Sequence, residues 1–264
     1  MKIQIPFAPT ASPTVQSNKV YPPQEAFDDF RRLGFAADKR YSLGRTGTTS
    51  LMPTQRIHNV LALLAERRPV FHSEADFQHA LAWQMHLSSP DADIRLEKQV
   101  ATGGTRVHLD LLLQSAAGQV AIELKYKTRS AKLSHANEDF FLRNQSAQDI
   151  GRHDFLKDIQ RLEKYVEEHP RAEGFAILLT NDRSYWMESK KKDSVDSEFR
   201  VHEGRVLRGG ATWGVKASAG TKHKREEPIN LKGSYKVQWV KYFSFGLGIA
   251  DEFRYALLRV PSAA

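Results

Sequence analysis

The chain has 264 residues and a formal net charge of +8, with 39 lysine and arginine residues against 31 aspartate and glutamate residues. It contains no cysteine, which excludes a disulfide scaffold, a thiolate metal site and a cysteine nucleophile. The hydrophobic fraction of 41% is ordinary for a folded protein. Because no apolar run is long enough to cross a bilayer and no signal-peptide pattern opens the chain, we expect a cytoplasmic protein with no membrane partner.

The first part of the chain is predicted to be irregular. Five of the eleven prolines fall within residues 1–23, where fixed φ angles and missing N–H donors favour an arm over a sheet. Residues 43–50 place two glycines beside hydroxyl side chains but lack the lysine of a P-loop, so they are interpreted as an ordinary loop. Residues 55–67 carry four aliphatic side chains on one helical face. Residues 1–69 are therefore predicted to form an N-terminal arm and helical region.

A helix and three strands are predicted next. Ser73 and Asp76 match a capping box that begins a helix, and Pro90 lies beyond its end. Three strands follow, separated by turns that contain glycine, at residues 94–100, 106–113 and 120–126. Together these patterns predict a three-stranded meander behind one helix.

One more helix and one more strand complete this core. Residues 128–148 are polar and are interpreted as irregular. The apolar side chains of residues 154–168 lie on one helical face, which predicts an amphipathic helix. Residues 175–180 form a wholly apolar run, which is typical of a strand buried on both faces. The order α-β-β-β-α-β predicts one compact α/β core over residues 70–180.

The C-terminal region, residues 181–264, is basic and contains two strand patterns, at residues 234–242 and 253–260. Nine lysine and arginine residues between positions 205 and 241 face only two glutamates, which gives this stretch a charge of +7. Such a segment attracts polyanions, and the aromatic residues within it can stack on bases. The alternative is a solvated basic surface with its aromatics in core strands. The nucleic-acid-binding candidates are Arg205, Arg208, Lys216, Lys222, Lys224 and Arg225.

The second and third strands carry charged residues in an apolar setting. Asp110 lies inside an apolar strand, where its charge is costly unless it is paired or binds a metal. Glu123 and Lys125 share one face of the next strand, because side chains alternate along a strand. A turn centred at residues 116–117 would bring Asp110 close to Glu123.

Two adjacent carboxylates repel each other unless a cation lies between them, and Mg²⁺ prefers oxygen ligands. We therefore expect a magnesium site on Asp110 and Glu123, with Lys125 orienting the attacking water or stabilising the transition state. The alternative is a structural ion pair in which Lys125 neutralises one of these carboxylates.

Glu74 is a further candidate for this site. It lies in the first turn of the first core helix, on the side of Phe77 and Leu81, from which it can reach the metal. The alternative is that it only complements the helix dipole. A second Glu-x-Lys pattern, Glu188 and Lys190, lies in a polar stretch, so the motif alone is not specific.

These residues resemble the signature of the PD-(D/E)xK nuclease superfamily, also called restriction-endonuclease-like. Its αβββαβ core has a mixed central sheet flanked by helices, with an acid in the second strand, (D/E)-x-K in the third and often a glutamate from the first helix. Asp110, Glu123, Lys125 and Glu74 match this pattern over about residues 70–180. The proline that names the motif is absent, since Leu109 precedes Asp110.

The resemblance implies Mg²⁺-dependent hydrolysis of phosphodiester bonds, usually in DNA, with Mn²⁺ able to substitute. It also implies that the backbone carbonyl of Leu124 and the carboxylate of Glu74 join Asp110 and Glu123 in the metal shell. His108, on the strand face of Asp110, is an accessory candidate, as are Gln148 and Lys157 of the later helix.

Several alternatives stay open at this point. RNA can replace DNA as the substrate, and the fold can bind nucleic acid or a protein without cutting. Cutting of both strands by a single-site enzyme usually calls for two subunits, so a homodimer is compatible with this interpretation, and the sequence identifies no partner protein.

Overall fold

The structure is a computed structural model that describes residues 54–246 and 248–262. Its helices are α1 (Thr54–Arg67), α2 (Glu74–Ser88), α3 (Gln148–Glu168) and the short α4 (Ala219–Lys222). Its strands are β1 (Asp93–Thr102), β2 (Thr105–Ser115), β3 (Gly118–Lys127), β4 (Ala131–His135), β5 (Glu138–Leu142), β6 (Ala172–Thr180), β7 (Val206–Ala211), β8 (Ile229–Lys236), β9 (Trp239–Ser244) and β10 (Glu252–Val260). The arm predicted at residues 1–23 and the loop predicted at residues 43–50 lie outside the described residues.

Six strands form one mixed sheet in the order β1-β2-β3-β6-β10-β9. β1, β2 and β3 are antiparallel neighbours, β3 runs parallel to β6, and β10 is antiparallel to both β6 and β9. The parallel pair requires a crossover connection, which α3 supplies. The predicted α/β class, with a central mixed sheet flanked by helices, is confirmed. β9 and β10, from the basic C-terminal region, extend the sheet beyond β6.

Two hydrophobic core layers lie on opposite faces of the sheet. The first core layer joins α1 and α2 to one face, where Ile177 and Leu179 of β6 are buried. The second core layer joins α3, β7 and β8 to the other face, where Ala176 and Leu178 are buried. All nine residues of β6 are buried, as the apolar run at its centre predicts.

The stretch 128–148, predicted to be irregular, contains a hairpin, so this prediction is wrong. β4 and β5 pair, and Leu133 lies opposite Phe140 on the buried side. The turn between them places Ala136 at φ 49° and Asn137 at φ 64°. A two-residue hairpin turn with positive φ at both positions favours the sequence Asn-Gly. The sequence Ala-Asn found here does not indicate such a turn.

Two other boundaries differ from the sequence predictions. The single strand predicted at residues 234–242 is two strands, because β8 pairs with β7 whereas β9 pairs with β10. The alternation of apolar and polar residues predicts that a segment is a strand, but it does not indicate where the chain passes from one sheet to another. α3 begins six residues before the predicted start, and its N-cap, Ala147, has φ 68° and makes no side-chain capping bond. No helix among the described residues is long and apolar enough to span a membrane.

Gly174 tests the contact between β6 and the second core layer. A methyl group added there would lie 3.0 Å from Leu162 Cβ and 3.2 Å from Val260 Cβ. Because these neighbours are buried, we expect Gly174→Ala to lower the free energy of unfolding by about 1–3 kcal/mol, measured by urea denaturation. Gly220→Ala is the control, since only Ser218 Oγ lies near, at 3.9 Å. Equal stability of both variants would contradict the packing described.

Candidate functional site

The hairpin of β2 and β3 opens at the predicted acidic residues. Pairing runs from Ser115↔Gly118 to Leu111↔Ile122, around a turn at residues 116–117, as the sequence predicts. The next pair in this register would be Asp110 with Glu123, but the backbone pairing ends before it. Instead, the backbone N–H of Leu124 donates to Asp110 Oδ2 at 2.6 Å. The Asp110 carboxylate therefore accepts the hydrogen bond that a backbone carbonyl of β2 would accept in a continuous hairpin.

The pairing of β2 with its other neighbour, β1, is also interrupted beside Asp110. Glu97 has φ 49°, and it is skipped between the pairs Leu96↔Leu111 and Lys98↔Leu109. Leu109 packs into the second core layer whereas Leu111 packs into the first, so the alternation of β2 shifts at Asp110. Gln78 of α2 stabilises this distortion, because its Nε2 donates to Asp110 O at 2.7 Å and to Glu97 Oε1 at 2.8 Å.

α2 also supplies a carboxylate to β3. Glu74 lies at the start of α2, where the N-cap Ser73 accepts a hydrogen bond from Asp76 N, as predicted. Glu74 is half-buried, and its Oε2 accepts a hydrogen bond of 2.7 Å from the backbone N–H of Tyr126. Two alternate amides of β3, those of Leu124 and Tyr126, are therefore bonded by side-chain carboxylates.

The side chains of Glu123 and Lys125 face α3. Glu123 is 1% exposed, and its Oε1 accepts from Arg161 at 2.9 Å. Lys125 Nζ lies 2.9 Å from Asp158 Oδ2, and Arg161 is 3.3 Å from Asp158 Oδ1. Two residues of one helix therefore hold both ends of the Glu-x-Lys motif.

The charges of this site are unbalanced. We call it the acidic cluster, and it contains five carboxylates and two cationic side chains: Glu74, Glu97, Asp110, Glu123, Asp158, Lys125 and Arg161. Burial, helped by neighbouring carboxylates, raises the pKa of Asp110 and raises that of Glu123 well above its ordinary value. Burial raises the pKa of Asp158 to about 6, although two cations oppose it. The site therefore has a tendency to bind protons or another cation.

Lys125 is held in its charged form. Burial alone would disfavour the ammonium, but Asp158 above all, with Glu74 and Asp110, raises the pKa of Lys125 above its usual range. A charged ammonium can bind a phosphoryl oxygen, and it cannot accept a proton as a general base.

The oxygen atoms of the acidic cluster suit a hard divalent ion only in part. Glu123 Oε2 is buried and has no hydrogen-bond partner among the described residues, which is costly for a carboxylate. In the same part of the chain, no group of three or more His, Asp or Glu side chains is arranged to hold a metal ion. An ion here would therefore bind Asp110 and Glu123, the carbonyl of Leu124, and several waters, which is a pattern that Mg²⁺ accepts. That carbonyl already accepts Lys125 Nζ at 3.0 Å.

The three accessory candidates lie apart from these contacts. His108 is exposed on β2, two residues before Asp110, and among the described residues its side chain makes no hydrogen bond to the acidic cluster. Gln148 Nε2 donates to Asp182 Oδ2 at 2.9 Å, and Lys157 Nζ donates to Gln160 Oε1 at 3.1 Å. Gln148 and Lys157 therefore each bond a residue outside the acidic cluster.

Three residues of the acidic cluster, Glu97, Asp158 and Arg161, have no role in the sequence prediction, and neither does Gln78, which bonds Glu97. Asp158 could have been found, since it follows Phe155 by three residues and precedes Leu162 by four, on the buried face of α3. A charged residue on an apolar helix face needs a partner, and Lys125 is that partner.

The basic C-terminal candidates are mostly solvent-facing. Arg208, Lys216 and Lys224 are exposed, whereas Arg225 forms a two-bond ion pair with Asp154, at 2.9 and 3.2 Å. Three interleaved aromatics, Tyr235, Trp239 and Tyr242, are buried in the core layers and are not available to stack on bases. Trp213 is half-buried and stacks on His153, with ring centroids 5.3 Å apart.

Comparison of the chain with known protein families, characterised proteins and solved structures finds no match. The chemistry of the acidic cluster is therefore argued from its own residues.

Replacement of Arg161 measures how much the cations of the acidic cluster contribute to stability. Arg161→Met leaves Glu123 buried without its cationic partner, so we expect a loss of about 3–5 kcal/mol in the free energy of unfolding at neutral pH. The loss should shrink as the pH falls, because Glu123 becomes neutral by binding a proton, which the folded state binds more tightly than the unfolded state. Urea denaturation at several pH values measures both effects.

The double variant Arg161→Met/Glu123→Gln is the matched control. It removes the unpaired charge together with its partner, so it should recover much of the lost stability and of the added pH dependence. If the single and double variants have the same stability and the same pH profile, the pairing of Arg161 with Glu123 is not what stabilises this site.

Proposed function

We propose that the protein is a Mg²⁺-dependent endonuclease that hydrolyses phosphodiester bonds in DNA, built on a restriction-endonuclease-like core. The observation that carries the proposal is the arrangement of Asp110, Glu123 and Lys125 at the point where β2 and β3 separate. The topology supports it, since α2, β1, β2, β3, α3 and β6 follow one another in the expected order, with the β4–β5 hairpin inserted.

The carboxylates of Asp110 and Glu123, with the carbonyl of Leu124, would hold the metal. When bound, Mg²⁺ offsets charge on a phosphoryl oxygen and lowers the pKa of a coordinated water. The buried, unpartnered Oε2 of Glu123 and the raised pKa values of both carboxylates are what a bound cation would relieve. Glu74, whose Oε2 accepts a hydrogen bond from Tyr126 N on the same strand, would be the further carboxylate ligand of the metal.

Lys125 would bind the scissile phosphate. Its ammonium is charged, and Asp158 fixes its position at 2.9 Å. A fixed cation stabilises the charge that develops on phosphoryl oxygens in the transition state, and it does so without reorganisation during the reaction. Asp158 and Arg161 are positioning residues in this scheme, because they contact Lys125 and Glu123 and not the substrate.

DNA is the substrate that the resemblance implies, and the cations of the C-terminal region would bind its phosphates. Nothing in these contacts distinguishes a 2′-hydroxyl, so RNA is a second substrate for the same chemistry. The nucleic-acid-binding residues in this scheme are Arg205, Arg208, Lys216, Lys222, Lys224 and Arg225. A homodimer would place two such sites on one duplex.

The second candidate is a nuclease-fold module that binds nucleic acid or a protein without cutting it. One observation favours it: Arg161 and Asp158 already neutralise Glu123 and Lys125, so the motif is satisfied as a structural network. Binding of duplex DNA without cleavage under any divalent ion, unchanged by Asp110→Asn, would support this second candidate.

Cleavage assays test the nuclease proposal directly. With supercoiled plasmid and Mg²⁺ or Mn²⁺, we expect nicking by the wild type and a loss of at least about a hundredfold in Asp110→Asn and Lys125→Met, since each removes a metal ligand or a charge-stabilising group. The double variant Glu188→Gln/Lys190→Met is the matched control, because it alters the second Glu-x-Lys pattern on an exposed segment. Equal nicking by all four proteins would show that a contaminant or another site cuts. A parallel panel of duplex, single-stranded and RNA substrates defines the preferred class.

Metal binding should depend on pH. Because the pKa values of Asp110 and Glu123 are raised, protons compete with Mg²⁺ for both carboxylates, and affinity should fall as pH falls, by up to about tenfold per pH unit for each displaced proton. Calorimetric titration with Mg²⁺ in buffers of different ionisation enthalpy measures the affinity and the proton release. An affinity that is constant from neutral to mildly acidic pH, or that survives in Asp110→Asn, would exclude these ligands.

A further inference from the structure

A small cavity with cationic walls lies outside the acidic cluster. It has a volume of about 120 Å³, and its charged walls come from two short segments, residues 188–192 and residues 200–205. We call it the cationic cavity. Its titratable lining residues are Glu188, Lys191, Lys192, Arg200, His202 and Arg205.

The two arginines of the cationic cavity are held in place. Arg200 lies 3.1 Å from Asp196 and donates to Ser194 Oγ at 2.9 Å, and its side chain is only 17% exposed. Arg205 donates to the carbonyl oxygen of Glu198 at 3.1 Å. Fixed guanidinium groups lose little conformational freedom when they bind an oxyanion, which they match in geometry.

The negative charge near these cations does not balance them. Asp196 is shared, because Arg152 also lies 2.5 Å from it. Burial lowers the pKa of Arg200, and the neighbouring Arg152 and Arg205 lower it further despite Asp196. His202 shows the same pattern, since burial and then Arg205 lower its pKa. Among the described residues, the one acidic residue that lines the cationic cavity, Glu188, is already paired with Lys192 on the surface.

Two nitrogen atoms of these lining residues have no hydrogen-bond partner. Arg205 Nε, a donor, and His202 Nδ1 are both buried and unpartnered in the part of the chain that the structure describes. A buried donor without an acceptor costs free energy, and an anion in the cationic cavity would offer one after a small adjustment of the wall.

We propose that the cationic cavity binds a phosphate group, held by Arg205, Lys191 and the fixed guanidinium of Arg200. This site does not rest on the proposed nuclease chemistry, because none of its residues belongs to the acidic cluster. It shares one residue, Arg205, with the proposed nucleic-acid-binding set, and phosphate binding to the cavity does not require cleavage. The phosphate can come from two sources, free inorganic phosphate or the terminal phosphate of a nucleic acid, and both have the same doubly charged tetrahedral oxyanion.

Titration with inorganic phosphate at low ionic strength, followed by phosphorus NMR and calorimetry, tests the site. We expect saturable binding by the wild type that weakens about tenfold in Lys191→Gln and further in Lys191→Gln/Arg205→Gln, since each variant removes a charge-assisted bond to the phosphate. Lys191→Gln changes only an exposed side chain, so it remains informative if the double variant is poorly folded.

Lys236→Gln/Lys241→Gln is the matched control, with the same change in net charge at exposed positions outside the cationic cavity. It should bind phosphate as the wild type does. Absence of saturable phosphate binding in the wild type, or equal weakening in the control, would overturn the proposal. An oligonucleotide with a 5′-phosphate, compared with its 5′-hydroxyl form on the same variants, then identifies the source. Asp110→Asn should bind phosphate normally, which separates this outcome from that of the nuclease assay.

Discussion

The carboxylate of Asp110 bonded to the backbone N–H of Leu124 is the contact on which the rest of the acidic cluster depends. A buried backbone donor must find an acceptor, and in an ordinary hairpin β2 would supply it. Here Asp110 and Glu74 bond two amides of β3 at 2.6 and 2.7 Å, so β2 can separate from β3 without leaving those donors unpaired. These two bonds tie α2, β2 and β3 together at one point, beside Glu123 and Lys125.

This arrangement lowers stability locally. Five carboxylates share two cations in a half-buried space, and burial raises the pKa values of three of the five. Apolar side chains of the same volume in place of these charged ones would give a more stable fold, because the attraction within buried ion pairs seldom compensates fully for their lost hydration. Proteins retain such sites where function needs charge, and the apolar layers on both sides of the sheet supply the stability that the site loses.

The sequence predicts the order of the helices and strands that the core was expected to contain and the turn at residues 116–117, because both follow from periodicity and chain geometry. It does not predict that the pairing of β2 with β3 ends at Leu111 and Ile122, one pair before Asp110 and Glu123. Three of the features it does not predict lie at residues with positive φ. Glu97, Ala136 and Ala147 have φ values of 49°, 49° and 68°, which these residue types rarely adopt. No local sequence pattern predicts these conformations, and Glu97 is bonded by Gln78 from another element. Asp158 differs, since its position on the apolar face of α3 follows from the sequence and only its partner, Lys125, required the fold.

α3 links the two regions of unbalanced charge. It carries Asp158 and Arg161, which hold the acidic cluster, and Arg152, whose partner Asp196 also fixes Arg200 of the cationic cavity. Arg152 and Asp158 are six residues apart, or about 9 Å along the helix axis. Because one helix contacts both regions, the distance between them is fixed. A polyanion that reached from one region to the other would therefore bind with its phosphates at fixed positions relative to the acidic cluster. Two flexible loops could not impose those positions, since each would move independently of the other.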